Sequence, residues 1–139
     1  MEPRILHVED NPDDVMLVGL AFRKALSAVQ LEVATDGEKA LAALQSNLNS
    51  PPACVLLDVK LPSISGFEVL KWIRSQSGLK RLPVVMLTSS VLPSDINRAY
   101  DFGANSYLVK PLELDALITL AKTIDLYWLR TNTPPTGET

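Results

Sequence analysis

Cysteine and histidine are nearly absent from this chain, which has one of each. A single cysteine excludes an internal disulfide. One cysteine and one histidine are also too few for a zinc site. No apolar run approaches the ~20 residues that cross a bilayer. No early stretch couples a charged start to an apolar h-region. Positive charge is not in excess either: 13 Lys and Arg face 16 Asp and Glu, a net charge of −3, so no basic surface points to nucleic acid. Neither G-x-x-x-x-G-K-[ST] nor G-x-G-x-x-G occurs, which removes the common nucleotide-binding loops. There is no internal repeat. The expectation from these absences is a cytoplasmic protein with no membrane or nucleic-acid partner.

What is present is ordinary for a globular domain: 47% hydrophobic and 21% charged residues over 139 positions, enough for one good core. Four short apolar runs look like strands: ILHV (5–8), CVLL (54–57), VVML (84–87) and SYLV (106–109). A fifth, LEVA (31–34), alternates and looks like an edge strand. Helical periodicity fills the gaps at 12–27, 36–44, 66–73, 93–102 and 113–130. Asn11 and Pro12 form a helix start, and Ser94 is a candidate cap after Pro93. The stripe in 66–73 is weak. The pattern is β-α repeated five times. It predicts an α/β fold with a doubly wound parallel sheet covered on both faces. In such sheets the working site lies outside the carboxyl ends of the strands.

Those ends carry chemistry. The first strand runs into Glu9 and Asp10, the third into Asp58, the fourth into Thr88, Ser89 and Ser90, and the fifth into Lys110 and Pro111. Three carboxylates on one rim repel one another unless a cation joins them. An oxygen-only cluster with room for water suits Mg²⁺. A lysine and a hydroxyl beside it suit a phosphoryl group, and aspartate is a known phosphoryl acceptor. Taken alone, Asp58 reads more simply as a strand-end cap.

The set Glu9-Asp10, Asp58 followed three residues later by Leu61-Pro62, Gly66, Thr88 and ANSYLVKP (104–111) resembles the receiver domains of two-component response regulators. The likeness runs from Arg4 to about Trp128 and includes the separations between Asp58, Thr88 and Lys110. It implies a flavodoxin-like (βα)5 fold with strand order 2-1-3-4-5. It also implies a phosphoacceptor rather than an enzyme, with slow self-dephosphorylation. In that family pattern Asp58 takes a phosphoryl group from a sensor histidine kinase. Mg²⁺ is held by Glu9, Asp10, Asp58 and the backbone carbonyl of Lys60. Lys110 pairs with the phosphoryl group, Thr88 turns its hydroxyl toward it, and Tyr107 is the coupled aromatic switch. Pro111 becomes a candidate for a cis bond. EDNPDD, GANSYLVKP and DLYWL look like the small regulators that partner bacterial and cyanobacterial phytochromes, so a phytochrome-type kinase is the expected partner and another sensor kinase the alternative. The expected division is a receiver domain over 1–130 with no output domain, and an extended or disordered tail over 131–139.

Two positions depart from the family pattern. Lys60 stands where many relatives carry Asn or Met, and Ser65 where many carry Asp. A haloacid dehalogenase-type phosphatase would need a second Asp at position 60, which is lysine. A degenerate receiver acting only as a binding module usually loses an acid, the hydroxyl or the lysine, and all are retained. Asp13 and Asp14 are read as first-turn acids complementing the helix dipole rather than as metal ligands. His7, inside an apolar strand, is read as a hydrogen-bonded core histidine rather than a phosphoryl carrier. Ser89 lacks a partner base, and Cys54 packs as a small hydrophobe. Met16, Leu17 and Leu20 lie off the core face of 12–27 and are the expected kinase-docking residues. The last helix carries an apolar arc of roughly 180°, wider than the ~100° of an ordinary surface helix. Leu120 and Tyr127 extend it, which predicts a homodimer through that helix and its neighbouring strand.

Overall fold

A computed structural model gives the fold and describes residues 2–136. Five strands alternate with five helices: β1 (Arg4–Val8), α1 (Pro12–Lys24), β2 (Gln30–Ala34), α2 (Gly37–Gln45), β3 (Cys54–Leu57), α3 (Gly66–Ser75), β4 (Val84–Thr88), α4 (Pro93–Asp101), β5 (Ser106–Val109) and α5 (Leu114–Ile124). All pairings are parallel and the sheet order is β2-β1-β3-β4-β5. The flavodoxin-like arrangement expected from the strand-helix pattern and the family likeness is the one present.

Side chains alternate across a strand, so each central strand feeds both layers. Leu6, Val8, Val55, Leu57, Val84 and Met86 meet Ala40 and Leu44 of α2, the buried face of α3, and Ala99 of α4. Ile5, Cys54, Leu56, Val85 and Leu87 meet Val18, Ala21 and Phe22 of α1 and Leu117, Ala121 and Ile124 of α5. The helix starts are fixed locally. Asn11 accepts from the backbone N–H of Asp13 (2.9 Å) and Asp14 (3.4 Å). Asp36 accepts from Lys39 (2.7 Å) and Ser65 from Glu68 (3.3 Å). Such caps each contribute about 1 kcal/mol. Arg74 pins the entry to β5. It donates to Gly103 O (2.9 Å), Leu82 O (2.7 Å) and Asn105 Oδ1 (2.9 Å).

Several expectations are corrected. The weak stripe of 66–73 becomes a well-buried helix, because α3 is flanked by α2 and α4 and buries Phe67, Val69, Leu70 and Ile73. Leu17 packs against the core rather than away from it. Ser94 does not cap α4. The N-cap is Leu92, and Ser90 Oγ takes the Leu92 N–H instead (3.3 Å). β5 is only half-covered, since it forms the sheet edge. The last helix is not continuous: α5 ends at Ile124 and Asp125–Thr131 winds as a π-helix. Asp125 is held by Ser27 Oγ (2.8 Å) and Arg130 Nε (2.9 Å), and Thr131 Oγ1 donates to Leu126 O (2.6 Å). No peptide bond among the described residues is cis, so the bond before Pro111 is trans, the isomer an X–Pro amide favours by default. Residues 137–139 of the expected tail lie outside the described residues.

One close approach positions the site. A Cβ placed on Gly66 would lie 2.0 Å from the carbonyl oxygen of Asp58, and the Gly66 N–H donates to Val59 O (2.8 Å). The start of α3 therefore presses on the main chain of Asp58. Gly66→Ala should lower the unfolding free energy by about 3 kcal/mol, the upper range for overpacking, because the obstacle is backbone. Urea denaturation measures it, and a loss under about 1 kcal/mol would show that the loop yields.

Candidate functional site

The carboxyl ends of β1, β3, β4 and β5 converge as the strand order requires. Glu9 is 1% exposed, Asp58 7% and Thr88 1%, while Asp10 faces solvent. Carboxylate oxygens of Glu9, Asp10 and Asp58 lie within 4.8 Å of one another. The Lys110 backbone N–H donates to Thr88 O (2.8 Å), extending the β4–β5 ladder and aiming the lysine across the rim. Its Nζ donates to Asp58 Oδ2 (2.9 Å), to Asp14 Oδ2 (3.0 Å) and to Glu9 Oε1. An ammonium has three donors, and here each meets a carboxylate.

The electrostatics follow from this crowding. Burial, with the charge of Asp58 added, pushes Glu9 up to about 7 against the pull of Lys110 and the Asn11 N–H. Burial works against the charge on Lys110, but the hydrogen bonds to Glu9, Asp58 and Asp14 outweigh it and hold the lysine above its usual range. The lysine is the one cation contacting the buried acids among the described residues. The donor set of Glu9, Asp10 and Asp58 is oxygen-only and close enough to share one ion, which fits a hard divalent cation.

Thr88 and Tyr107 stand in an adjoining network. Thr88 Oγ1 accepts from the Ser90 N–H (3.4 Å), and Tyr107 Oη donates to Ser90 O (3.0 Å). Ser90 Oγ donates to Asp95 Oδ2 (2.6 Å) in the first turn of α4. Burial raises Tyr107 above the ordinary tyrosine range, so it is a neutral donor. The sequence reading placed Ser90 at the rim without a partner, and it missed Asp95. Asp14 is a first-turn acid, as read, and it also binds Lys110. His7 is buried as expected but not hydrogen-bonded, and neither ring nitrogen finds a partner. It faces an apolar layer that includes Val18 and Phe22, and burial holds its value down to about 4. The side chain of Lys60 is exposed and makes no ion pair among the described residues.

A family model described as "Response regulator receiver domain" matches residues 5–122. The chain is 40% identical over 134 residues to "Probable methanogenesis regulatory protein FilR2" of Methanothrix harundinacea, spanning 94% of this chain and 86% of that one. It is 38% identical over 135 residues to "Response regulator Rcp1" of Synechocystis sp., spanning 94% and 92%. The crystal structure of the Mn(2+)-bound form of Rcp1 superposes with a TM-score of 0.84. The phosphorylated cyanobacterial phytochrome response regulator RcpA, 36% identical, superposes with a TM-score of 0.89 over 98% of this chain and 100% of that one.

Glu9 and His7 give opposite pH slopes. Folded Glu9 keeps a proton that the unfolded chain releases between 4.5 and about 7, so its contribution to stability falls as pH rises through that window. Folded His7 refuses a proton that the unfolded chain takes up between 6.5 and about 4, so its contribution falls as pH drops. In metal-free buffer, Glu9→Gln should therefore gain stability with rising pH more steeply than the wild type, and His7→Leu less steeply. Urea midpoints measured from pH 4.5 to 7 decide this, and parallel profiles for all three proteins would sink the assignment.

Proposed function

This chain belongs to the response regulator receiver family, and from that premise we propose that it accepts a phosphoryl group on Asp58 in a Mg²⁺-dependent two-component relay. The observation that carries the reading is the Asp58 carboxylate, 2.9 Å from the Lys110 ammonium and within 4.8 Å of two further acids, at the carboxyl edge of a parallel sheet. One Asp58 oxygen attacks the phosphorus of a kinase phosphohistidine. The P–N bond breaks, the imidazole nitrogen leaves with its electron pair, and an acyl phosphate forms. Lys110 pairs with the incoming phosphoryl oxygens. Thr88 donates its hydroxyl to them, leaving Ser90, which frees the Tyr107 ring to move. Glu9, Asp10, Asp58 and the Lys60 carbonyl would hold Mg²⁺, which when bound offsets charge on the transferring phosphoryl group. Hydrolysis of the acyl phosphate is slow and serves as a timer, not as metabolic catalysis.

The partner is a sensor histidine kinase of phytochrome type, supported by the likeness to RcpA. The 40% identity to FilR2 favours a second reading, in which another sensor kinase supplies the phosphoryl group. The kinase docks on α1 through Met16, which is 61% exposed, and Leu20 beside it. The receiver unit is 1–130 with a tail from 131, and the protein works in the cytoplasm without nucleic acid. No described helix is long and apolar enough to cross a membrane.

Intact-protein mass after incubation with Mg²⁺ and acetyl phosphate tests the central claim. One labile phosphoryl adduct is expected on the wild type, lost with EDTA and absent from Asp58→Asn. An adduct that persists on Asp58→Asn would place the acceptor elsewhere. In the same assay with a phytochrome kinase as donor, Met16→Glu should slow transfer at least several-fold while leaving the acetyl phosphate reaction unchanged. Equal rates from the kinase would remove α1 as the docking surface.

Leu126 and Tyr127 are 56% and 49% exposed on the π-helix, and Val109 on β5 is exposed as well. Aromatic and aliphatic side chains open to water in this way mark an interface, here a homodimer through the last helix and β5. Light scattering should report a dimer that Tyr127→Glu with Leu126→Glu converts to a monomer. A wild type that stays monomeric with and without beryllofluoride would end that proposal.

A further inference from the structure

Lys110 and a divalent cation would compete for the same carboxylates. Of the three acids that hold the ammonium, Glu9 and Asp58 belong to the metal-capable cluster and Asp14 does not. Asp14 projects from the first turn of α1, where its backbone N–H is fixed by the Asn11 cap. Its side chain is 33% exposed, against 1% for Glu9 and 9% for Asp58. It thus keeps water around a charge that the other two surrender.

Resting on the Mg²⁺-dependent reading above, we propose that Asp14 is a positioning residue for Lys110: it holds the ammonium at the rim while Glu9 and Asp58 are engaged by a divalent cation. Without such a holder the lysine has two poor choices. It can stay against Glu9 and Asp58 and repel the cation, or it can swing into solvent and lose its alignment with Asp58. Asp14 gives a third position, 3.0 Å from where the ammonium already sits, so the retreat needs only a rotation of the lysine tip. Asp13, its neighbour, is exposed and touches no cation, so a first-turn acid in general does not supply this.

The test is a double-mutant cycle read by calorimetric titration with Mg²⁺, which needs no phosphotransfer. Asp14→Asn should weaken Mg²⁺ binding by about tenfold, within the range for coupled contacting residues. Asp14→Glu should recover most of that loss. Asp13→Asn, which removes the same charge from the same helix turn, should change the affinity less than about twofold. In a Lys110→Met background, Asp14→Asn should have no effect beyond about twofold, because nothing remains to be held. Equal weakening by Asp14→Asn with and without Lys110 would show a bare charge effect and overturn the proposal. So would an unchanged affinity in Asp14→Asn alone. A wild type that binds no Mg²⁺ would overturn the underlying reading as well, which separates the two failures.

Discussion

The ammonium of Lys110 among three carboxylates is the interaction on which the rest of the molecule depends. Glu9 and Asp58 are buried acids a few ångströms apart, an arrangement that neither desolvation nor Coulomb repulsion allows without a cation. The fold brings one. Strand order 2-1-3-4-5 sets β1 and β3 side by side, so Glu9 and Asp58 are neighbours. β4 then carries β5 into a position from which a long side chain crosses the rim. Arg74 and Asn105 fix the far end of β5, and Gly66 fixes the main chain of Asp58. Remote contacts thus set the geometry of a group of side chains that carry almost all the chemistry.

Next to this rigid arrangement lies a softer one. α4 buries only Ala99 and has no side-chain cap at its N-terminus. Its remaining anchors are polar or aromatic: the Ser90–Asp95 hydrogen bond, and the Arg98 guanidinium stacked 4.3 Å over the Phe67 ring. Such contacts exchange at modest free-energy cost, whereas the apolar burial of α1, α3 and α5 does not. α4, tied to the Thr88 and Tyr107 network through Ser90, is therefore the helix with the least apolar burial holding it to the sheet.

The legible part of the sequence was that written in period and punctuation. CVLL and VVML are strands because continuous apolar runs suit a sheet covered on both sides, SYLV closes the sheet edge, and the polar residue after each run marks the rim. Asp58, Glu9, Asp10 and Lys110 are found that way, without any contact being known. Asp14 was hidden because its partner is 96 residues away and a first-turn acid already has a sufficient local explanation. The Ser90 network was hidden because Ser94, directly after Pro93, was the more obvious cap candidate for α4. The π-helix escapes any reading at 100° per residue, since its turns are wider, and it begins at Asp125, which is tied to Ser27 98 residues earlier. His7 was placed correctly, but its missing partners depend on what surrounds the strand.

The contact between Lys110 and Glu9 spans 101 positions of the chain. Every ladder in the sheet is parallel and needs a crossover, so each strand pairing closes a long loop. A chain still emerging from synthesis, or one with β5 detached, has its acids but no lysine to balance them. Such a chain is electrostatically repelled at the rim. Completion of the fold and assembly of the charged rim are therefore the same event.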